Sequence, residues 1–181
     1  MIRINTQAPK VSLIEGKFLR FIKKDRWEYV ERTNCTGIVI VLALTKEGNL
    51  IFTEQYRPPV GKNVIEFPAG LVNDLDAPKK ETLISAAKRE LFEETGYKVE
   101  KLKKILCGPV SGGLTSDLVY VFKAIGLKKV GAGGGDHFES ITVHEIPFKK
   151  VHRWLNQQQK AGKLVDPKVY AELYFLNDRK K

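Results

Sequence analysis

The first third of the chain sets short apolar, β-branched runs between polar breaks. Residues 11–22 and 27–32 are β-favouring runs separated by Lys23-Lys24-Asp25-Arg26, which suits a hairpin turn. Residues 36–44 form a continuous apolar run, the pattern of a strand buried on both faces. Lys46-Glu47-Gly48-Asn49 supplies a turn, and residues 50–55 return as a strand. A Pro-Pro-Val-Gly loop at 58–61 leads to a strand at 64–67, after which the pattern breaks at Pro68-Ala69-Gly70. Helical spacing takes over at 82–95 and is closed by Gly96, a residue favoured just past a helix end. Strands are predicted at 99–105, 118–124 and 140–146, the last preceded by a glycine-rich stretch at 130–136 that suits a mobile loop. Amphipathic segments at 148–161 and 167–178 close the chain, the second turning Val169, Leu173 and Leu176 toward a core. The pattern predicts a mixed α+β domain with a β-rich N-terminal extension, without internal repeats.

Composition narrows the picture. At 181 residues, 43% hydrophobic and 29% charged, the chain suits one soluble domain with at most a small appendage. Cys35 and Cys107 match no metal-ligand spacing and are too few for a disulfide framework, so a reduced, cytoplasmic setting is expected. No stretch has the length of a membrane-spanning helix, and Met1-Ile2-Arg3-Ile4-Asn5 lacks an apolar signal region, so no membrane partner is expected. The formal charge of +10 has two readings: steering of anionic ligands, or a solvated lysine-rich exterior. The lysines are scattered and no basic stripe interleaved with aromatics is present, which favours the exterior and argues against a nucleic-acid partner.

The chemistry concentrates in Arg89-Glu90-Leu91-Phe92-Glu93-Glu94-Thr95-Gly96-Tyr97. At about 100° per residue, Glu90, Glu93 and Glu94 share roughly a 100° arc of one helix face. Leu83, Ile84, Ala87 and Leu91 occupy the neighbouring arc, so one helix can pack against a core and aim its acids at a cleft. These like charges repel one another and sit at the helix end where the macrodipole disfavours them. A hard divalent cation offsets both costs; a solvated acidic helix end paired with Lys88 and Arg89 is the competing explanation.

The wider pattern resembles the Nudix hydrolase family, whose motif is G-x5-E-x7-R-E-U-x-E-E-x-G-U with U a bulky apolar residue. Glu81, seven residues, then Arg89-Glu90-Leu91-Phe92-Glu93-Glu94-Thr95-Gly96 match it, with Tyr97 in the last apolar place. Ten residues rather than five separate Gly70 from Glu81, so an insertion lies within 75–80; the alternative alignment takes Asp76 as the first acid. The resemblance implies a Nudix α/β/α sandwich with a mixed sheet at 35–181, and a β extension at 1–34 that serves dimerisation and substrate contact. It implies metal binding by Glu90, Glu94, Glu93 and the Ala69 carbonyl, with Mg²⁺ as cofactor and Mn²⁺ as a substitute. Arg89 would position the glutamates through charge-assisted hydrogen bonds.

Gln55-Tyr56-Arg57 and Glu66-Phe67-Pro68-Ala69-Gly70 resemble segments of the ADP-ribose and nucleotide-sugar pyrophosphatase branch. In that branch Arg57 and Glu66 would contact substrate, Arg57 through the planar fork that suits phosphate. Trp27 would stack on the nucleobase or pack a homodimer interface, and Glu139 would act as catalytic base or further metal ligand. The segment Ser111-Gly112-Gly113-Leu114-Thr115-Ser116-Asp117 has glycine where ADP-ribose hydrolases usually carry proline, which widens the expected substrates to GDP-, UDP- and other nucleotide sugars. The expected reaction is metal-dependent hydrolysis of the diphosphate bridge to a nucleoside monophosphate and a sugar phosphate. Its rivals are another diphosphate (a dinucleotide, an RNA 5′ end or coenzyme A) and a catalytically silent nucleotide-sugar sensor.

Overall fold

The computed structural model describes residues 4–74, 80–135 and 140–177. Its N-terminal strands, β1 (Lys10–Glu15), β2 (Leu19–Lys24) and β3 (Trp27–Arg32), form an antiparallel meander of their own. A turn at 16–18 splits the apolar run at 11–22 in two, and Asp25, at φ 56°, makes the tight turn between the paired residues Lys24 and Trp27. The meander joins the remaining chain at one seam, where Val30 donates its N–H to Leu114 O at 2.8 Å and accepts from Ser116 N–H at 3.2 Å.

The main body is built on β4 (Gly37–Leu42), which pairs antiparallel with β7 (Ala69–Val72) and parallel with β9 (Leu118–Lys129). Strand β8 (Tyr97–Pro109) completes that sheet in the order β7-β4-β9-β8. A second sheet, ordered β10-β5-β6-β11, is formed by β5 (Asn49–Arg57), β6 (Lys62–Glu66), β10 (Thr142–Pro147) and β11 (Leu164–Val165). The period of two along β4 decides the layering. Val39 and Val41 point to a core shared with Ala86, Ala87 and Leu91 of helix α1 (Leu83–Thr95). Ile40 and Leu42 point the other way, to a core shared with Val151 and Leu155 of α2 (Val151–Lys160) and with Val169, Leu173 and Leu176 of α3 (Pro167–Asn177). Helices therefore cover both faces, and the mixed-sheet sandwich predicted above is what the chain forms.

The differences from the predicted elements lie where hydrophobic periodicity is silent. Strand β7 occupies the stretch where the pattern broke, because its pairing with β4 is made by backbone groups. Strands β8 and β9 run well past 99–105 and 118–124, as Lys98↔Lys128 and Cys107↔Tyr120 are paired although much of β8 is exposed. The two-residue β11, parallel to β6, gave no periodic signal at all. Within the second sheet, buried Glu54 accepts hydrogen bonds from Asn63 and Lys163 at 2.8 Å and lies 2.8 Å from His144 Nε2, which fastens β5, β6, β10 and the turn before β11 together.

Candidate active site

Helix α1 starts where Thr82 caps it, its hydroxyl accepting from Ser85 N–H at 3.1 Å, and stops where Gly96 turns left-handed at φ 74°. Between those ends the acid face is partly sealed: Glu94 is 2% exposed and Glu90 9%, whereas Glu93 is open. Glu94 Oε2 accepts the Ala69 N–H at 3.1 Å, tying the helix to the start of β7. Glu90 lies so close to the β7 backbone that a Cβ on Gly70 would fall 1.9 Å from its Cδ, so any side chain there would displace the Glu90 carboxylate.

Arg89 organises the cluster. Its Nε and Nη2 donate to the two carboxylate oxygens of Glu81 at 2.9 and 3.1 Å, and Nη2 also donates to Leu71 O at 3.1 Å. Its Nη1 reaches Glu93 Oε2 at 3.0 Å and Glu90 Oε1 at 2.8 Å. Glu81 first, and then the other carboxylates, push the guanidinium further up from its already high pKa against the cost of burial. Glu81 is itself clasped by Asn73, whose Oδ1 accepts the Glu81 N–H at 2.7 Å. The longer spacing between Gly70 and Glu81 is thereby closed at its neck; Asp76, the alternative first acid, lies outside the described residues.

Glu90, Glu93, Arg89, Ala69 and Gly70 line a cleft of about 410 Å³ that is also lined by Arg57 and Glu66. Arg57 Nε and Nη2 both lie 2.8 Å from Glu66 Oε2. Sequence reasoning missed two further cations in the cleft wall. Arg32, from the N-terminal meander, pairs with Asp117 at 3.3 Å, and Lys168, from α3, pairs with Asp166. Neither carried a local signal, because each reaches the cleft through tertiary packing of a distant element. Trp27 does not line the cleft of its own chain; its indole N–H donates to Gly113 O at 3.1 Å and the residue is 44% exposed. Glu139 lies outside the described residues.

Three glutamate carboxylates and the Ala69 carbonyl are hard oxygen donors, the kind that suits Mg²⁺ or Mn²⁺ over softer ions. Among the described residues no three acidic, histidine or cysteine side chains stand at ligand spacing, since Arg89 draws Glu90 and Glu93 to itself. The donor chemistry and the sealing of Glu90 and Glu94 beside the cleft fit a hard divalent cation.

Comparison with known proteins agrees with this layout. The profile of the NUDIX domain matches residues 35–163. The methanol dehydrogenase activator of Bacillus methanolicus is 30% identical over 77% of this chain and 71% of its own length. The GDP-mannose pyrophosphatase of Yersinia pestis (strain Pestoides F) is 32% identical over 82% of this chain and 75% of its own. The ADP-ribose pyrophosphatase of Bacillus subtilis (strain 168) is 41% identical, over 49% of this chain and 45% of its own. A solved structure described as an ADP compounds hydrolase shares the fold, with a TM-score of 0.61 at 16% identity over 80% of each chain. With the acid helix, its arginine clasp and Gly70 in place, these matches show that the chain belongs to the NUDIX family.

Proposed function

We propose that the protein hydrolyses the P–O–P bridge of a nucleoside diphosphate sugar, ADP-ribose, GDP-mannose or a similar compound, to a nucleoside monophosphate and a sugar phosphate. The observation that carries the reading is the joining, in one cleft, of the α1 acid face with the cations Arg57, Arg32 and Lys168. Such a cleft accepts a diphosphate and the cation that accompanies it. Glu90, Glu93, Glu94 and the Ala69 carbonyl would hold Mg²⁺, with Mn²⁺ as a substitute. When bound, the ion supplies charge neutralisation at phosphate oxygens and a lowered pKa for water. Arg89 keeps the glutamates in register, and Arg57 can exchange its monodentate grip on Glu66 for a forked one on phosphate. Glu139 is the group we assign to take the proton from attacking water.

We further place the enzyme in the cytoplasm as a homodimer, with the 1–34 extension appended to a catalytic unit at 35–181. Val11, Leu13, Ile14 and Phe18 of that extension are between 46% and 71% exposed, more apolar surface than a small solvated sheet leaves uncovered. The test is product release from a panel of nucleotide sugars with Mg²⁺, wild type against Glu94→Gln. Cleavage to monophosphate and sugar phosphate, reduced at least about a hundredfold in the variant, is the expected result. No turnover of any nucleotide sugar would overturn the substrate assignment.

A further inference from the structure

Helix α1 ends against a part of the chain that does not line the cleft. The last carbonyls of a helix lack a partner inside it and turn to water or to another segment. In this fold they turn to the glycine stretch that follows β9. Gly134 donates its N–H to Glu94 O at 2.8 Å, and Gly135 donates to Glu93 O at 3.2 Å. Val130 and Gly131 lead in, both donating to Gly96 O, at 2.9 and 3.0 Å. A composition that suits a mobile loop is thus pinned, over residues 130–135, to the end of α1.

The contact leaves no room for a side chain at its centre. Gly133, Gly134 and Gly135 have φ of 73°, 114° and 86°, all in the left-handed range. A Cβ on Gly133 would fall 2.4 Å from the carbonyl carbon of Thr95 and 2.6 Å from Glu94 O. Those are backbone atoms of a helix turn in which Thr95 is fully buried, so they have nowhere to move. Gly131 differs. Its φ is not positive, and an added Cβ would meet the Phe92 ring at 3.5 Å, an ordinary contact. The crowding therefore belongs to one backbone-on-backbone junction, and a general need for flexibility does not account for it.

We propose that this junction is a clamp that sets the positions of Glu93 and Glu94, with Gly133, Gly134 and Gly135 as positioning residues. The inference rests on reading the α1 acid face as a metal site and deepens that reading. Each of the two acids is held at both ends. The Glu94 carboxylate accepts the Ala69 N–H while its carbonyl accepts from Gly134. The Glu93 carboxylate accepts from Arg89 while its carbonyl accepts from Gly135. The clamp also offsets an electrostatic cost. A helix C-terminus carries partial negative charge, which disfavours acids in the last turn. The N–H dipoles of Gly134 and Gly135 lay their positive ends against that charge, on the carbonyls of the two acids themselves. Glu93 and Glu94 are thereby kept in place before a cation arrives, and ligands ordered in advance leave less ordering to oppose its binding.

The test is calorimetric titration of Mn²⁺ into the full chain, for wild type, Gly133→Ala, Gly134→Ala and Gly131→Ala. Thermal melts and circular dichroism of the same metal-free samples fix a temperature at which each is folded. Gly133→Ala should bind Mn²⁺ about tenfold more weakly, the scale for losing a group that orients metal ligands. Gly134→Ala has room for its methyl but not the backbone angle, so it should lose affinity by a smaller factor. It carries the test if Gly133→Ala does not fold. Gly131→Ala should bind as wild type does. Wild-type affinity in Gly133→Ala and Gly134→Ala, with only the melting temperature lowered, would mark a purely structural junction and overturn the clamp while leaving the metal site standing. A loss in Gly131→Ala as large as in Gly133→Ala would make flexibility the requirement and would also overturn it. No Mn²⁺ binding by wild type would overturn the metal reading of α1, and the clamp with it.

Discussion

Glu54 and Glu172 are both buried, and their environments drive them in opposite directions. Burial works against ionisation of Glu54, but hydrogen bonds from Lys163, Asn63 and His144 outweigh it and hold the carboxyl at about 2. A depressed carboxyl contributes stability that is present above its ordinary value of 4.5 and is lost as pH falls toward 2. Glu54→Gln should therefore flatten the acid side of a melting-temperature profile between those values. Glu172, raised to about 8, has the opposite sign: its folded state binds the extra proton, so stability falls as pH climbs from 4.5 toward 8. Thermal melts of Glu172→Gln should lose that decline. At the acid cluster, Gly70→Ala would drive a methyl into the Glu90 carboxylate and force it to move. We expect a folded protein with kcat down about a hundredfold, the scale of a misplaced catalytic group, checked by steady-state kinetics alongside circular dichroism. Much of this cluster was legible in advance, since Glu81, Arg89, Glu90 and Glu94 belong to one contiguous motif. Arg32, Lys168 and Glu172 were not. The only trace of Glu172 was an acid next to Leu173 in the apolar arc of the last amphipathic segment.

At the scale of elements, α1 combines two tasks on one cylinder. Its Ala86, Ala87 and Leu91 side anchors it to the sheet, and Glu90, Glu93 and Glu94 present oxygen atoms beside the cleft. Because caps, periodicity and chemistry all lie within one stretch of chain, its bounds were readable almost to the residue. Strands β7 and β11 and the far ends of β8 and β9 were unreadable for the converse reason: partners distant in the chain define them, and their side chains carry no clear period. Thr82→Ala removes a cap at the opposite end of α1 from Glu90, Glu93 and Glu94 and should cost about 1 kcal/mol in denaturant unfolding. An unchanged kcat in the same variant would separate the helix's stability from its chemistry.

For the molecule as a whole, charge and exposed apolar surface matter most. On the β8–β9 ribbon Lys98 faces Lys128 and Lys103 faces Lys123, like charges placed directly opposite in a chain of formal charge +10. Added salt screens such pairs, so the melting temperature should rise between low and physiological ionic strength. If the N-terminal meander meets a second copy, Ile14→Lys, at a side chain 71% exposed, should halve the mass seen by light scattering. A monomeric wild type would remove the homodimer from the account.

The parallel pairing of β4 with β9 also has a consequence for how the chain reaches this structure. Ile38 meets Val119 only after the whole of α1 and β8 has been synthesised and looped back. The meander, by contrast, needs only neighbouring residues and can close early. Before β9 arrives, β4 can pair with β7 along one edge but its other edge stays open. Folding should therefore be slow in its last stage, with amide protons of the meander protected first and those of β4 and β9 gaining protection together at the end.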